Sequence, residues 1–545
     1  MPNSALLTVN GWGHTALFMS HCADAAIERY LIDIATPPPG TTCDQDVAPF
    51  TTPAAASAPA ARERLQALSY INGQSPRARQ PVRRARAADR RAAGQAGSWS
   101  GLARSAIDAL GAQVAVDDRG NAVYAWSSSD AATGITQVRA HTRSAKGGLG
   151  QIVVLSDPAA DSFDVRVAVN ASGAAAFSWL QFEATTTTLA VKTRSWSARG
   201  VLGPIADVSE PAIDASEHRI AISGRGAAAF TWTQGDPATG PTRVQARMRS
   251  AAGALGAIAD LADPALDSFA PQVAIDADSV ATFAWTQGDP AARRTRVQTR
   301  TLSPSGGLGS TTDLADAARN TGHAKVAIDP DGDAVFDWLA SDQSQRSVAQ
   351  MRSRSRTGAF GPVVDLSSSS DDAWDPVVAI DGHGAAVFTW WIVGRTGARV
   401  EARSRSARGT IAPRVTLSNA ADDAYEPNVA IDAGGDAVLT WLAFTRDGVR
   451  VQARSRSPRG AFGALTDLTR PAQDAFSAQV AVSVDGDAAF GWSALNDTGY
   501  EVQGRSRSAN GRLGPLAVIS SADRDTFDAQ VNSTAERLQH TGDHG

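Results

Sequence analysis

The sequence is short of several features that define whole classes of protein. Two cysteines in 545 residues exclude a disulfide-rich scaffold and a zinc site built on cysteines. No run approaches the ~18 apolar residues of a membrane-spanning helix, and the net charge of -5 argues against a general nucleic-acid binder. We therefore expect no transmembrane segment, no specific nucleic-acid partner and no cofactor, in a chain whose 43% apolar content suffices for a core.

Tyrosine is also scarce, with 5 residues, whereas tryptophan reaches 13. Eight of the tryptophans recur at intervals of 51 to 53 residues: Trp126, Trp179, Trp232, Trp285, Trp338, Trp390, Trp441 and Trp492. A fixed period of about this size is typical of solenoids, propellers and other repeat arrays. The repeat therefore replaces the three or four ordinary domains that the length alone suggests.

Each repeat contains four short β-rich runs separated by Gly, Asp, Asn and Ser, with no helical periodicity. In residues 378–418 the runs are VAID, AVFTW, VEARSRS and VTLS. Four strands in about fifty residues are typical of a propeller blade. We predict a mainly β, monomeric protein whose residues 97–533 form an eight-bladed β-propeller, closed by overlap of Trp99–Leu102 with Asp525–Val531. A linear solenoid and two smaller propellers are the alternatives.

When the eight repeats are aligned, several of the aligned positions, here called columns, have structural interpretations. The recurring Trp ends the second run and should fill the wedge between blades. An arginine column in the third run predicts an inter-blade or solvated face paired with Asp, the alternative being an anion-binding ring. The turn DPDGD, with Asp329, Asp331 and Asp333, resembles the start of a calcium loop. It lacks the distal Glu, so we interpret it as turn chemistry, and these three residues are weak metal candidates only.

Ligand-binding candidates come from the connections between blades and from residues that depart from the ladder. An Asp-small-aromatic motif recurs before the first run, on the same face as the variable loops between the second and third runs. The structural alternative is that the rings are buried between blades and the Asp caps a turn. A propeller enzyme would need acids clustered inside the ring, and the repeated carboxylates show no singular cluster. The candidates are Phe163, Phe269, Trp374, Tyr425, Phe476, Trp391 and Trp196.

Residues 1–52 do not share the repeat. The run ALLTVNGWGHTALF indicates a strand and a Gly-flanked turn bearing His14. It is followed by the helix-like run CADAAIERYLIDIA and then by ATPPPGTTC and DVAPF. This ordered set resembles the C-terminal end of tripeptidyl aminopeptidase-like α/β-hydrolases, a family of serine peptidases. The resemblance implies that His14 matches the general base of the triad and that Cys22 and Cys43 form a disulfide. It also implies an extracellular or cell-envelope location, although the sequence begins without a signal peptide.

The departure from that family decides the functional expectation. A Ser-His-Asp enzyme needs a nucleophile, an acid and an oxyanion hole besides its histidine, and no G-x-S-x-G motif occurs. We therefore treat His14 as vestigial and lean against catalysis. We expect a non-catalytic propeller that binds a protein, peptide or glycan; the alternative is a truncated or fused secreted peptidase whose Ser and Asp lie upstream. An Ala/Pro/Arg-rich linker (residues 53–96) and a tail (residues 534–545) are predicted to be disordered.

Overall fold

The computed structural model describes residues 109–520, apart from short gaps at 131–132, 236–239, 290–293, 317–318, 342–345, 395–396, 472 and 497–498. Of the N-terminal segment it describes residues 8–10, 22, 38 and 41–44. His14, the predicted linker and the predicted tail lie outside this part, as do Trp99–Leu102 and Asp525–Val531. In the ranges just given, no helix has the length and apolarity needed to cross a membrane.

The N-terminal segment contributes a pair of parallel strands, β1 (Thr8–Asn10) and β2 (Thr42–Asp44). Cys43 in β2 is buried and is joined to Cys22 by a disulfide, with the two Cα atoms 5.5 Å apart. This bond ties the start of the predicted helix, at Cys22, to the strand pair.

The repeat folds into eight antiparallel four-stranded sheets, each built from four consecutive strands. We number these sheets as blades 1 to 8 in chain order. Blades 1 to 4 comprise β3 (Ala109–Val116), β4 (Ala122–Ser129), β5 (Thr136–Arg143), β6 (Val153–Val154); β7 (Ser162–Val169), β8 (Ala175–Glu183), β9 (Thr188–Trp196), β10 (Ala206–Asp207); β11 (Ala215–Ile222), β12 (Ala228–Gln234), β13 (Arg243–Arg249), β14 (Leu255–Asp260); β15 (Ser268–Ile275), β16 (Ala281–Asp289), β17 (Arg294–Leu302) and β18 (Thr312–Asp313). Blades 5 to 8 comprise β19 (Asn320–Ile328), β20 (Ala334–Ser341), β21 (Ser347–Arg354), β22 (Val364–Asp365); β23 (Ala373–Ile380), β24 (Ala386–Gly394), β25 (Gly397–Arg405), β26 (Val415–Thr416); β27 (Asp423–Ile431), β28 (Ala437–Thr445), β29 (Gly448–Arg456), β30 (Thr466–Asp467); β31 (Asp474–Val482), β32 (Ala488–Asn496), β33 (Gly499–Arg507) and β34 (Ala517–Val518).

The eight blades close into a ring. The first strand of each blade contacts the first strands of both neighbours, and β3 of blade 1 contacts β31 of blade 8 in the same way. The eight first strands therefore surround a central channel. An eight-bladed propeller is thus confirmed. In the described part of the chain blade 1 packs directly on blade 8, and each blade keeps all four of its own strands.

The tryptophan ladder forms the inter-blade core. All eight ladder tryptophans are at most 1% exposed. Trp179, for example, shares a hydrophobic cluster with Val138 and Leu155 of blade 1. A large ring fills the space that opens between radiating sheets, and its burial supplies much of the apolar driving force at each interface. The predicted role of the ladder is confirmed.

A β-bulge in every first strand shapes the channel wall. In blade 2 the bulge places Asp164 and Val165 opposite the single residue Trp179. Its first residue has a positive φ in every blade, between 46° and 68°. A bulge bends the strand and redirects a side chain, so each blade presents one extra residue at the same height in the channel.

Candidate functional site: the mouth of the central channel

The bulge residues form a ring at the end of the channel where the chain enters each first strand. We call them the mouth ring: Gly111, Asp164, Glu217, Ala270, His323, Asp375, Glu426 and Ser477. The loops between second and third strands end on this face too, because the strands alternate in direction. The mouth ring is chemically uneven: four members are carboxylates and one is histidine. The four carboxylates belong to blades 2, 3, 6 and 7, two adjacent pairs on different sides of the ring.

A second ring lies two residues further along each first strand. Seven of its eight members carry side-chain N–H donors and none is a carboxylate; we call these seven the donor ring: Gln113, Arg166, Arg219, Gln272, Lys325, Asn428 and Gln479. Val377 holds the eighth position. Two residues beyond, all eight blades have alanine, whose short side chain leaves room for the long donor-ring side chains above it.

Blades 2 and 3 hold the most tightly bonded part of the site. Arg166 donates to Asp164 at 2.9 Å; burial opposes ionisation of that carboxyl, but Arg166, His218 and Arg219 outweigh it and lower the pKa of Asp164. Burial lowers the pKa of His218 to about 3, so its imidazole is neutral, and Nε2 donates to the carbonyl of Asp164 at 2.7 Å. Glu217 Oε2 accepts from the backbone N–H of Ala270 in blade 4 at 2.7 Å.

Blade 5 places a lysine beside a carboxyl that has no bonding partner. Lys325 and Asp337 face each other across the first two strands. Asp337 is fully buried and neither of its oxygens has a hydrogen-bond partner, and burial raises its pKa to about 8. Burial also lowers the pKa of Lys325 to about 8, helped by the positive charges of Arg219 and Arg166. The exposed His323 lies above Lys325 and interacts electrostatically with Asp375 and Glu217.

Blades 6 and 7 carry an acidic part of the mouth. Asp375 Oδ2 accepts from the indole Nε1 of Trp391 at 2.8 Å, which orients that carboxylate. In the neighbouring blade Glu426 is half-buried, and burial together with the charge of Asp375 raises its pKa to about 7. A carboxyl whose ionisation is opposed in this way, as that of Glu426 is, favours a partner that donates a proton or carries a positive charge.

The aromatic candidates of this region pack around the same carboxyls. Trp391 stacks on Trp374 with ring centroids 5.9 Å apart and meets Tyr425 edge-on at 5.0 Å. Trp391 is 1% exposed, whereas Trp374 and Tyr425 are half-buried. Half-buried rings at the channel face leave apolar edges available to a ligand, but most of their area serves the interface between blades 6 and 7.

The remaining candidates are dispersed. Phe163 and Phe476 are half-buried at the mouth face, and Phe269 is 37% exposed there. Trp196 is paired with Ala175 at the opposite end of the channel, where it contacts Phe177 at 6.2 Å. The structure therefore does not bring Trp196 together with the other candidates.

The aspartates of the turn DPDGD have local structural partners. Asp329 Oδ1 accepts from the N–H of Asp333 at 2.9 Å, and Asp333 accepts from the N–H of Arg356 at 2.7 Å. Among the described residues, no group of three or more metal-ligating side chains comes together. The Asp of the Asp-small-aromatic motif also bonds backbone: Asp161 accepts from the N–H of Thr136, in the preceding blade, at 2.8 Å.

The arginine column ties neighbouring blades together through backbone rather than through Asp. Arg194, for example, donates from Nε to the carbonyl of Gly203 in its own blade at 2.8 Å and from Nη1 to that of Leu155 in the preceding blade at 3.1 Å. Six further arginines repeat this pattern: Arg247, Arg300, Arg352, Arg403, Arg454 and Arg505. The prediction of an inter-blade face was right, and the predicted Asp partners were wrong.

The two channel rings were missed in the sequence although a signal was present. The mouth-ring residue directly follows the aromatic of the Asp-small-aromatic motif, as in Phe163–Asp164 and Tyr425–Glu426. The residue at this position of the repeat varies among the blades from glycine to histidine, whereas other positions of the repeat hardly vary. Two surface grooves, of about 250 Å³ beside Thr188 and about 670 Å³ beside Arg450, are lined by no residue of either ring.

Comparison with known proteins finds separate resemblances for the two parts of the chain. The family model described as TAP-like protein, an α/β-hydrolase model, matches residues 1–43. The match agrees with the resemblance of the first 52 residues and includes His14, Cys22 and Cys43. No curated protein sequence matches the chain.

Solved structures resemble the propeller at low identity. The β-propeller domain of the trilobed protease from Pyrococcus furiosus is 7% identical, with a TM-score of 0.42 over 67% of this chain and 97% of that one. The Dos1 propeller is 10% identical, with a TM-score of 0.45 over 76% of this chain and 95% of that one. A PL25 ulvan lyase is 7% identical, with a TM-score of 0.41 over 69% and 94%. Likeness at this level carries no information about ligand or activity.

Proposed function

We propose that the chain is a non-catalytic binding protein whose β-propeller takes its ligand, a peptide, a glycan or part of a protein, at the channel mouth. The N-terminal segment, which matches the TAP-like model over residues 1–43, accompanies it. One observation carries the proposal: the repeat is nearly uniform where it builds the ring and diverges where it lines the channel.

The contrast between columns supports this assignment. The ladder Trp is present in all eight blades, the inter-blade cation is an arginine in seven, and the alanine below the donor ring is present in eight. The mouth ring has six different residue types in eight blades. Architecture needs the same residue in each blade, whereas an asymmetric ligand needs different ones, and recognition on a rigid scaffold resides in such variable positions.

The most distinctive part of the mouth lies between blades 6 and 7. Asp375 and Glu426 offer carboxylates, and Trp374 and Tyr425 offer ring edges beside them. Carboxylates next to aromatic faces suit the hydroxyl groups of a sugar or the amino groups of a peptide. Because Glu426 is held with a raised pKa, a ligand that donates a proton or a positive charge to it relieves an unfavourable ionisation.

The test is binding of the full chain to glycan and peptide arrays. The double variant Asp375→Asn, Glu426→Gln keeps the shape of both side chains but removes their charge, and should lose the binding that the natural protein shows. Asp278→Asn, an exposed carboxylate in the turn at the opposite end of the channel, is the matched control and should bind normally. Unchanged binding by the double variant would overturn the proposed site.

The second candidate function is one part of a secreted tripeptidyl aminopeptidase-like peptidase whose Ser and Asp lie upstream. The match of residues 1–43 to the TAP-like model favours it. The two candidates differ in what happens when the upstream part is supplied: the second predicts hydrolysis of N-terminal peptide substrates only then, and the first predicts none. Covalent labelling of a serine in this chain by itself, with a serine-reactive probe, would contradict the first proposal.

A further inference from the structure

The donor ring gathers positive charge inside the channel without matching negative charge at its own level. Arg166, Arg219 and Lys325 come from blades 2, 3 and 5, and Gln272 of blade 4 lies between the last two. The other members of the donor ring are neutral amides, and Val377 holds the one remaining position at this height. A side chain that enters the channel past the mouth ring therefore meets N–H donors on nearly every side.

The protein itself satisfies only part of this donor capacity. Arg166 is paired with Asp164, and Arg219 donates to the backbone carbonyl of its neighbour His218 at 2.8 Å. Within the described part of the chain the ammonium group of Lys325 makes no ion pair closer than 4 Å and no hydrogen bond, and the side-chain amides of Gln272 and Gln479 make no hydrogen bond either. These half-buried donors point to a bonding partner that comes from outside the protein.

The neighbouring carboxyls compensate the charge of Lys325 only in part. Asp337 and Asp375 both attract it, but Asp375 Oδ2 already accepts from the indole Nε1 of Trp391 at 2.8 Å. Asp337 is fully buried, and its pKa of about 8 keeps it largely protonated at neutral pH. The carboxylate of Glu217 is already engaged by Ala270 N–H and by the hydroxyl of Thr233 at 2.8 Å. Like charges held together away from bulk water are costly unless an anion joins them.

We propose that the donor ring binds an oxyanion group, a carboxylate, sulfate or phosphate, carried by the ligand that enters through the mouth. Arg219 and Lys325 supply the charge, and the amides of Gln272 and Gln479 add neutral donors. The inference rests on the proposed function only in taking the channel as the place of the ligand. The acidic mouth at Asp375 and Glu426 then faces the uncharged or cationic part of the same molecule.

The test is calorimetric titration of the full chain with inorganic phosphate, sulfate and acetate at constant ionic strength. Lys325→Gln and Arg219→Gln are the test variants, because glutamine already stands at this height in three blades and suits the scaffold. Arg225→Gln removes the same charge from an exposed turn at the other end of the channel and is the control. Loss of one charged donor should weaken binding by about tenfold or more, while the control keeps the natural affinity.

The outcomes are decisive in both directions. Equal affinity in the test variants and the control, or no binding heat with any of the three anions, would overturn the inference. Circular dichroism of each variant without anion verifies the fold, and Lys325→Arg should retain binding. If the arrays find a ligand without an acidic group and none of the anion titrations produces binding heat, the proposed function stands and this inference fails. If the anions bind but the arrays find no ligand, this inference stands and the proposed function fails. The preferred anion distinguishes planar from tetrahedral groups.

Discussion

His141 Nδ1 in blade 1 lies 2.8 Å from the carbonyl oxygen of Ile519 in blade 8, although the two residues are 378 positions apart in the chain. Its other ring nitrogen lies 3.1 Å from the carbonyl of Gly150. The seven other blades use arginine to bridge the corresponding two carbonyls. At the seam where the ring closes, one histidine thus replaces the arginine of the column and joins the two ends of the propeller.

Replacing this histidine tests the closure of the ring. His141→Ala leaves the two carbonyls without their partner and should reduce the free energy of unfolding by about 1–3 kcal/mol. His141→Arg installs the residue of the other seven blades and should keep most of the stability. Urea unfolding followed by tryptophan fluorescence measures both. Equal midpoints for the alanine variant and the natural protein would show that the seam does not depend on this side chain.

The seam also contains a matched pair of unusual residues. Tyr124 stands where most blades have phenylalanine, and its hydroxyl donates to the carbonyl of Phe490 at 3.1 Å. A Cβ on Gly504 would lie 2.9 Å from both the ring and the hydroxyl oxygen of Tyr124. Gly504→Ala should therefore cost about 1–3 kcal/mol of unfolding free energy by overpacking.

The double variant Gly504→Ala, Tyr124→Phe provides the control for that contact. It copies the interface between blades 1 and 2, where Ala140 and Phe177 belong to one hydrophobic cluster. The two changes together should cost less than the sum of their separate effects. Strict additivity in the double-mutant cycle would mean that the glycine is not there to accommodate the tyrosine.

The raised pKa of Glu426 predicts that the stability of the protein depends on pH, and replacement of Glu426 should abolish this dependence. Its pKa of about 7 in the folded protein is above the ordinary value near 4.5, so the folded state holds the proton more tightly than the unfolded state. The stability that this group contributes is complete below pH ~4.5, declines as the pH rises to about 7 and is absent above it. Glu426→Gln should equal the natural protein at pH 4 and exceed it at pH 8, by up to about 3 kcal/mol. Unfolding curves at both pH values test this, and a difference independent of pH would contradict it.

Asp337 should behave in the same direction from a deeper position. Blades 3, 6 and 7 carry threonine at this point of the second strand, as Thr231, Thr389 and Thr440. Because the carboxyl titrates near pH 8 when folded and near pH 4 when unfolded, its contribution to stability is lost between those values. The stability of the Asp337→Thr variant minus that of the natural protein should therefore be larger at pH 9 than at pH 4, by on the order of a few kcal/mol. Thermal unfolding at the two pH values is the measurement, and a stability difference between the variant and the natural protein that does not change from pH 4 to pH 9 would refute the assignment.

Part of this molecule was predictable because its signals are local and repeated. The spacing of Trp126 and its seven counterparts predicts eight blades, since one large ring per interface is a packing requirement that each blade meets separately. The turn aspartates, such as Asp329, were predictable as well, because an Asx turn is made within five residues. The resemblance of the first 52 residues rests on an ordered local motif and agrees with the match to the TAP-like model.

The candidate site was not predictable to the same degree, because its members meet only after the ring closes. Asp375 and Glu426 are 51 residues apart, and Arg219 and Lys325 more than 100, so no short-range pattern connects them. The arginine column was paired with the wrong partners because a backbone carbonyl has no signature in the sequence.

The sequence by itself determined the repeating unit, its strands and its buried tryptophans, since these follow from alternation, turn chemistry and apolar burial inside one blade or between two. Only the tertiary structure decided where the ring closes, at His141 and Ile519, and which charges share the channel. The physical reason is that a closed ring places one residue from each of eight distant segments at the same height around one axis. No single segment of the sequence therefore determines the electrostatics along that axis.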